Sequence, residues 1–248
     1  MSRPRALVVR SGANPFLSDG GSDLLEVVEK ASHAIERADP PAGAFAAPTH
    51  LAIFTSQVAV ERVAADVRLT SLFSRAISGG RVAAVGAATA QALRAHGIPV
   101  GLVAEGSAKA LLERLPARLD GWRVLLPCGD DAAEELPEAL QLRGARVERA
   151  VVYRKVLRPR DAGLEREILE RPFAAFCTTS PSAAQWLFEG LGDDAADRLR
   201  RTPAVALGQT TRRALEARGV LRVAVSGQPL FPSVLALLER LATAPGGG

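Results

Sequence analysis

Four short stretches place small polar residues just after an apolar run and just before a helical pattern. Residues 205–220 read VALGQTTRRALEARGV and residues 82–97 read VAAVGAATAQALRAHG. Thr55-Ser56 follows LAIF, and Thr179-Ser180-Pro181-Ser182 follows AFCT. A strand that hands over to a helix at such a turn leaves backbone N–H groups without intrahelical partners. Together with the helix dipole, those donors attract anions. Thr55, Ser56, Ala87, Thr89, Thr179, Ser180, Ser182, Gln209, Thr210 and Thr211 are therefore candidate binding residues. Each hydroxyl alone is explained by capping its own helix. Four such turns together suit a ligand carrying several carboxylates or phosphates.

The turns come in matched pairs. Gly86 corresponds to Gly208, Thr89 to Thr211, Ala92-Leu93 to Ala214-Leu215 and Gly97 to Gly219, all at one offset. Upstream, AIFTSQVAVERV (52–63) parallels AFCTTSPSAAQWL (175–187), and RALVVRSG (5–12) resembles RVLLPCG (123–129). Matches in a shared order mark an internal repeat of a βα unit. The repeat by itself places a boundary near Asp120.

Periodicity supplies the elements that position these turns. Strands are expected near 5–10, 51–55, 81–85, 99–103, 122–127, 146–157, 173–178, 203–207 and 221–225. Helices are expected near 22–37, 57–68, 88–97, 108–116, 132–143, 162–170, 182–191, 210–218 and 232–242. Ser107 and Asp161 read as N-caps and Pro232 as a first-turn proline. Residues 38–43 read as a linker, Gly20-Gly21 as turn glycines, and Gly246–Gly248 as a frayed tail. Short strands alternating with helices imply an α/β fold with parallel sheets flanked by helices, in which ligands sit at the carboxyl ends of the strands.

The chain has 248 residues, 48% of them apolar, and a mean hydropathy of +0.10, enough for a substantial core. A net charge of +4 and a pI near 9.7 favour an acidic ligand without deciding anything. Acidic residues are interspersed with the basic ones and aromatics make up 4%, so no nucleic-acid stacking surface is expected. No apolar stretch reaches membrane-spanning length, and Met1–Pro4 lacks the features of a secretory signal, so a cytoplasmic protein without membrane attachment is expected. Cys128 and Cys177 read as reduced, semi-buried thiols. His33, His50 and His96 have no ligand spacing, and Asp130-Asp131 with Glu134-Glu135 reads as an acidic helix start, so no metal site is expected. No nucleotide-binding, nucleophile-elbow or metalloprotease signature is present in the sequence.

The segments FTSQVAV (54–60), AVGAATAQALRAHG (84–97), LLPCGDDAAEELPEAL (125–140), GARVERAVVYRKV (144–156), TTSPSAAQWL (178–187) and VALGQTTRRALEARG (205–219) resemble the uroporphyrinogen-III synthases. Of that family's strand–Thr-Arg-Pro opening, Val9-Arg10-Ser11 keeps only the arginine, and on that match Arg10 is a further binding candidate. The resemblance implies two lobes, one of residues 1–38 with 159–248 and the other of 51–146. Two antiparallel β connectors, 39–50 and 147–158, would join them, with the site in the cleft. It implies a substrate, hydroxymethylbilane, that is a linear tetrapyrrole with eight carboxylates, cyclised with loss of water and inversion of the last ring. No cofactor or metal is implied, and the chain is expected to act as a monomer. Tyr153, the only tyrosine, matches a family tyrosine proposed to assist departure of the hydroxyl. The alternative is a two-lobed protein that binds tetrapyrroles or other polycarboxylates without turnover.

Overall fold

The computed structural model describes residues 3–11, 22–41, 43–159, 162–227 and 231–243. The expected cap Asp161, the turn Gly20-Gly21, the tail Gly246–Gly248 and Ala42 of the linker lie outside the described residues. The chain forms two compact units, one of Met1–Ala34 with Val156–Gly248 and the other of Ile35–Lys155. Asp120 falls inside the second.

In the discontinuous unit, β1 (Arg5–Arg10), β2 (Glu26–Ala31), β9 (Ala175–Thr178), β10 (Ala204–Ala206) and β11 (Val223–Val225) form one sheet in the order β11-β10-β9-β1-β2. All of its neighbours are parallel. Alternation along the strands sends their side chains to two cores. Leu7, Val9, Phe176 and Ala206 pack with α6 (Ala162–Glu170), α7 (Pro181–Phe188), α8 (Asp193–Arg201) and α9 (Gln209–Glu216) through Ile168, Trp186, Leu199 and Leu215. Ala6, Val8, Cys177 and Val205 pack on α10 (Phe231–Thr243) through Val234 and Leu238. Pro232 is the second residue of α10.

The contiguous unit holds β3 (His33–Arg37), β4 (Leu51–Phe54), β5 (Arg81–Val85), β6 (Leu102–Ala104), β7 (Arg123–Gly129) and β8 (Arg146–Leu157), whose first and last strands run into the other unit at their ends. The order is β3-β8-β7-β4-β5-β6, with β8 through β6 parallel. Phe54, Val82, Leu125 and Val152 pack against α1 (Gln57–Ala64), α2 (Val67–Ala76) and α3 (Ala87–Ala95). Ile53, Ala83 and Leu126 pack against α4 (Ala108–Glu113) and α5 (Glu135–Leu142). Ser107 caps α4 by accepting the Ala110 N–H at 3.2 Å.

Several expected elements require correction. The helix expected over 22–37 is two strands, β2 and β3. Leu24, Val27, Val28, Ala31 and Ile35 mimic a helical stripe, but pairing with β1 extends the chain, sending Val27 into one core and Val28 into the other. The helix expected over 57–68 stops at Ala64, because Asp66 takes the N–H groups of Arg68 and Leu69 and starts α2. Helix α8 was not expected, although Asp193-Asp194 at its start and Arg198, Arg200 and Arg201 at its end fit the dipole pattern.

The two parallel sheets share one order once the chain is cyclically renumbered. β6-β5-β4-β7-β8 corresponds to β11-β10-β9-β1-β2. The repeat keeps one order along the chain, but the two units are circular permutants of each other, because β1 and β2 of the first copy form one sheet with β9–β11 of the second. The partner of β1 is β7, which follows β4 in one unit, whereas β1 precedes β9 in the other.

Candidate functional site

Open parallel sheets bind ligands where the strand order reverses, just beyond the carboxyl ends of the strands. In the contiguous unit the reversal lies between β4 and β7, and in the discontinuous unit between β9 and β1. The predicted turns stand at or beside both points.

Beyond β4, Ser56 is the N-cap of α1 and its Oγ accepts the Ala59 N–H at 3.2 Å. The same oxygen lies 3.4 Å from the Tyr153 hydroxyl. Helix geometry leaves the Gln57 and Val58 N–H groups without intrahelical acceptors at this point. The Gln57 side-chain amide donates to the Ala88 carbonyl at 3.3 Å, tying the starts of α1 and α3 together. Gly86 precedes α3 with φ of 92°, a backbone setting that favours glycine, and no side chain caps the helix. Ala87 is exposed, whereas Thr89 is buried in the first turn. The structure thus groups Ser56, Tyr153, Gln57 and the α3 start.

Thr55 faces elsewhere. It lines a cavity of about 230 Å³ with Ser107, Cys128, Leu136 and Arg149, on the side of α4 and α5. Burial pushes the Cys128 thiol up against the opposing pull of the Arg149 guanidinium. Arg149 is ion-paired with Glu134, and Asp131 with Lys155 at 2.6 Å. Among the described residues no cluster of three or more His, Cys, Asp or Glu is placed to hold a metal ion.

In the discontinuous unit, the Thr179 hydroxyl accepts the Ser11 N–H at 3.1 Å, bridging the ends of β9 and β1. Ser180 caps α7 by accepting the Ala183 N–H at 3.1 Å, and its hydroxyl lies 3.0 Å from that of Ser182. Helix α9 starts at Gly208 without a side-chain cap; Gln209 and Thr210 are exposed, and Thr211 is buried. Arg10 is ion-paired with Glu29 of the neighbouring strand, an acidic partner that the sequence reading did not assign to it. Thr178, at the end of β9, was also missed. It is fully buried, and its hydroxyl has no hydrogen-bond partner among the described residues. Cys177 is wholly enclosed, and burial pushes its thiol up to about 12.

Two α/β units, each with hydroxyl-bearing turns at the reversal of a parallel sheet, define a two-unit α/β protein. Residues 24–236 match the model of the uroporphyrinogen-III synthase HemD family. The chain belongs to that family. It is 35% identical over 183 residues to a Methanothermobacter thermautotrophicus protein assigned as a uroporphyrinogen-III synthase, covering 70% of this chain and 71% of the relative. The fold is shared with two crystal structures. The Thermus thermophilus uroporphyrinogen III synthase (a triple mutant) matches with a TM-score of 0.60 and 23% identity, over 97% of this chain and all of that one. The Helicobacter pylori uroporphyrinogen-III synthetase matches with a TM-score of 0.64 and 17% identity, over 95% of this chain and 98% of that one. Among the described residues no helix is long and apolar enough to cross a membrane.

Proposed function

We propose that this chain is a uroporphyrinogen-III synthase that closes hydroxymethylbilane to uroporphyrinogen III, acting as a monomer in the cytoplasm. The observation that carries the site assignment is the placement of the only phenol, Tyr153, against the start of α1, 3.4 Å from Ser56. The substrate is a linear tetrapyrrole with eight carboxylates. In this reading the backbone N–H groups at the turns of Thr55-Ser56, Ala87–Thr89, Thr179–Ser182 and Gln209–Thr211 hold those carboxylates, with Arg10 nearby.

Tyr153 donates its proton to the departing hydroxyl, which leaves as water. A phenol O–H is a hydrogen-bond donor that can serve as a general acid to a leaving oxygen. The resulting azafulvene-type cation is attacked through the substituted carbon of the terminal pyrrole. The spiro intermediate then fragments and recloses with that ring inverted. Unaided closure gives the uninverted isomer, so the protein's contribution is to hold a geometry that solution does not favour. The test is to supply hydroxymethylbilane and separate the product isomers. Isomer III in excess, formed faster than without protein, is expected. Mainly isomer I at the uncatalysed rate overturns the assignment.

A further inference from the structure

The strand that carries Tyr153 does not run regularly past its neighbour. β7 and β8 pair residue for residue from Arg123↔Arg146 to Cys128↔Val151, and then Gly129 faces Tyr153. Val152 is the extra residue of a β-bulge in β8. In a regular strand Val152 and Tyr153 would point to opposite faces of the sheet. Here both belong to the apolar cluster beneath α1 and α3, together with Ala150. The bulge has therefore turned Tyr153 onto the α1 side, a recognised use of this irregularity. Beyond the bulge the Asp130 N–H donates to the Tyr153 carbonyl at 3.2 Å, and the Asp130 carboxylate accepts the Lys155 N–H at 3.1 Å.

Gly129 supplies the space. A Cβ there would lie 2.6 Å from Cε2 and Cζ of Tyr153 and 2.8 Å from its hydroxyl oxygen. Other described glycines with approaches under 3.0 Å face a backbone carbonyl or an acidic side chain; Gly129 alone meets an aromatic ring. The contact is with the phenol end, which carries the reactive atom. The φ of Gly129 is not in the left-handed region, so space rather than backbone freedom makes it a glycine.

We infer that Gly129 is a positioning residue for the reaction: its absent side chain is the seat of the Tyr153 phenol and sets where the hydroxyl stands relative to Ser56. This rests on the reading of Tyr153 as the proton donor. The experiment compares the wild type, Gly129→Ala, Tyr153→Phe and the double variant, with kcat and KM measured separately. Because Tyr153 is the only tyrosine, tyrosine labelled with 13C at Cζ alone gives a single NMR signal that reports the phenol independently of activity. Gly129→Ala is expected to move that signal and to lower kcat about 100-fold at unchanged KM, the scale of a displaced catalytic group. The double variant should be no slower than Tyr153→Phe alone. An unmoved signal, or a double variant slower than Tyr153→Phe by the full Gly129→Ala factor, overturns the inference. Normal turnover in Tyr153→Phe instead overturns the proton-donor reading, and with it the part of Gly129 in catalysis. If Gly129→Ala does not fold, Asp130→Ala, at an exposed side chain that ties the same bulge, takes its place. It should shift the signal and lower kcat in the same direction, and no change in either overturns the inference.

Discussion

Tyr153 keeps its ring among aliphatic side chains while its oxygen lies at the start of a helix. These two facts separate packing from chemistry. Tyr153→Phe retains the ring and loses only the 3.4 Å contact to Ser56, a long hydrogen bond. Its stability should therefore change by at most about 1.5 kcal/mol in a denaturant titration. Turnover should fall by roughly 10²–10⁴-fold, the usual span for a lost general acid. The residual product should remain mostly isomer III, since isomer choice follows from how the chain of pyrroles is held. Total rate and isomer ratio are read in one assay, and undiminished turnover would refute the assignment. As a candidate, Tyr153 was legible in the sequence because it is the only tyrosine and lies in a family motif. Its seat was not: a bulge exists only between two paired strands, and Gly129 looks like any glycine after a strand.

At the scale of elements, the hydroxyls that looked alike in the sequence fall into distinct roles. Ser56 and Ser180 cap α1 and α7, whereas α3 and α9 begin at Gly86 and Gly208 with no side-chain cap. Ser180→Ala should accordingly cost about 0.5–2 kcal/mol of stability. Thr210→Ala, at an exposed side chain, should stay within about 0.5 kcal/mol of the wild type. Chemical denaturation of the two variants side by side checks the difference; equal losses would mean that the cap on α7 contributes nothing. Elements with a clean period and turn signals were legible, β8 with both ends in place and α3 with its ends displaced by one and two residues. β2 was not, because its identity comes from β1. The spacing of Leu24, Val27, Val28 and Ala31 satisfies a helix equally well until a parallel neighbour claims the backbone.

At the scale of the molecule, one unit is assembled from two distant stretches of chain. Glu167 of α6 helps hold them together, reaching Arg5 of β1 at 2.7 Å and Lys30 of β2 at 3.4 Å. Burial opposes its ionisation, but the Arg5 hydrogen bond and the Lys30 charge outweigh it and hold the carboxyl below its ordinary value of 4.5. A depressed carboxyl stabilises the fold in full above its unfolded value, and that stability is lost as pH falls through the folded one. Thermal stability should therefore decline below about pH 4.5. Glu167→Gln should be less stable than the wild type at pH 7 and lose less on acidification. Melting temperatures that fall in step for the two proteins across that range would remove Glu167 from the account.

The permuted order of the two sheets also bears on how the chain leaves the ribosome. β1 and β2 emerge first, yet β9, the other neighbour of β1, and the α6–α10 helices that cover the sheet are translated last. A lone pair of strands is at best marginally stable, so the nascent N-terminal segment must wait unfolded. The Ile35–Lys155 unit, by contrast, is contiguous and can fold once β8 has cleared the exit tunnel. A fragment spanning residues 33–157 should fold cooperatively and resist protease. A chain arrested after residue 200 should be cut readily within its first 34 residues. Equal protection of both segments in the arrested chain would show that β1 and β2 find shelter before β10 and β11 exist.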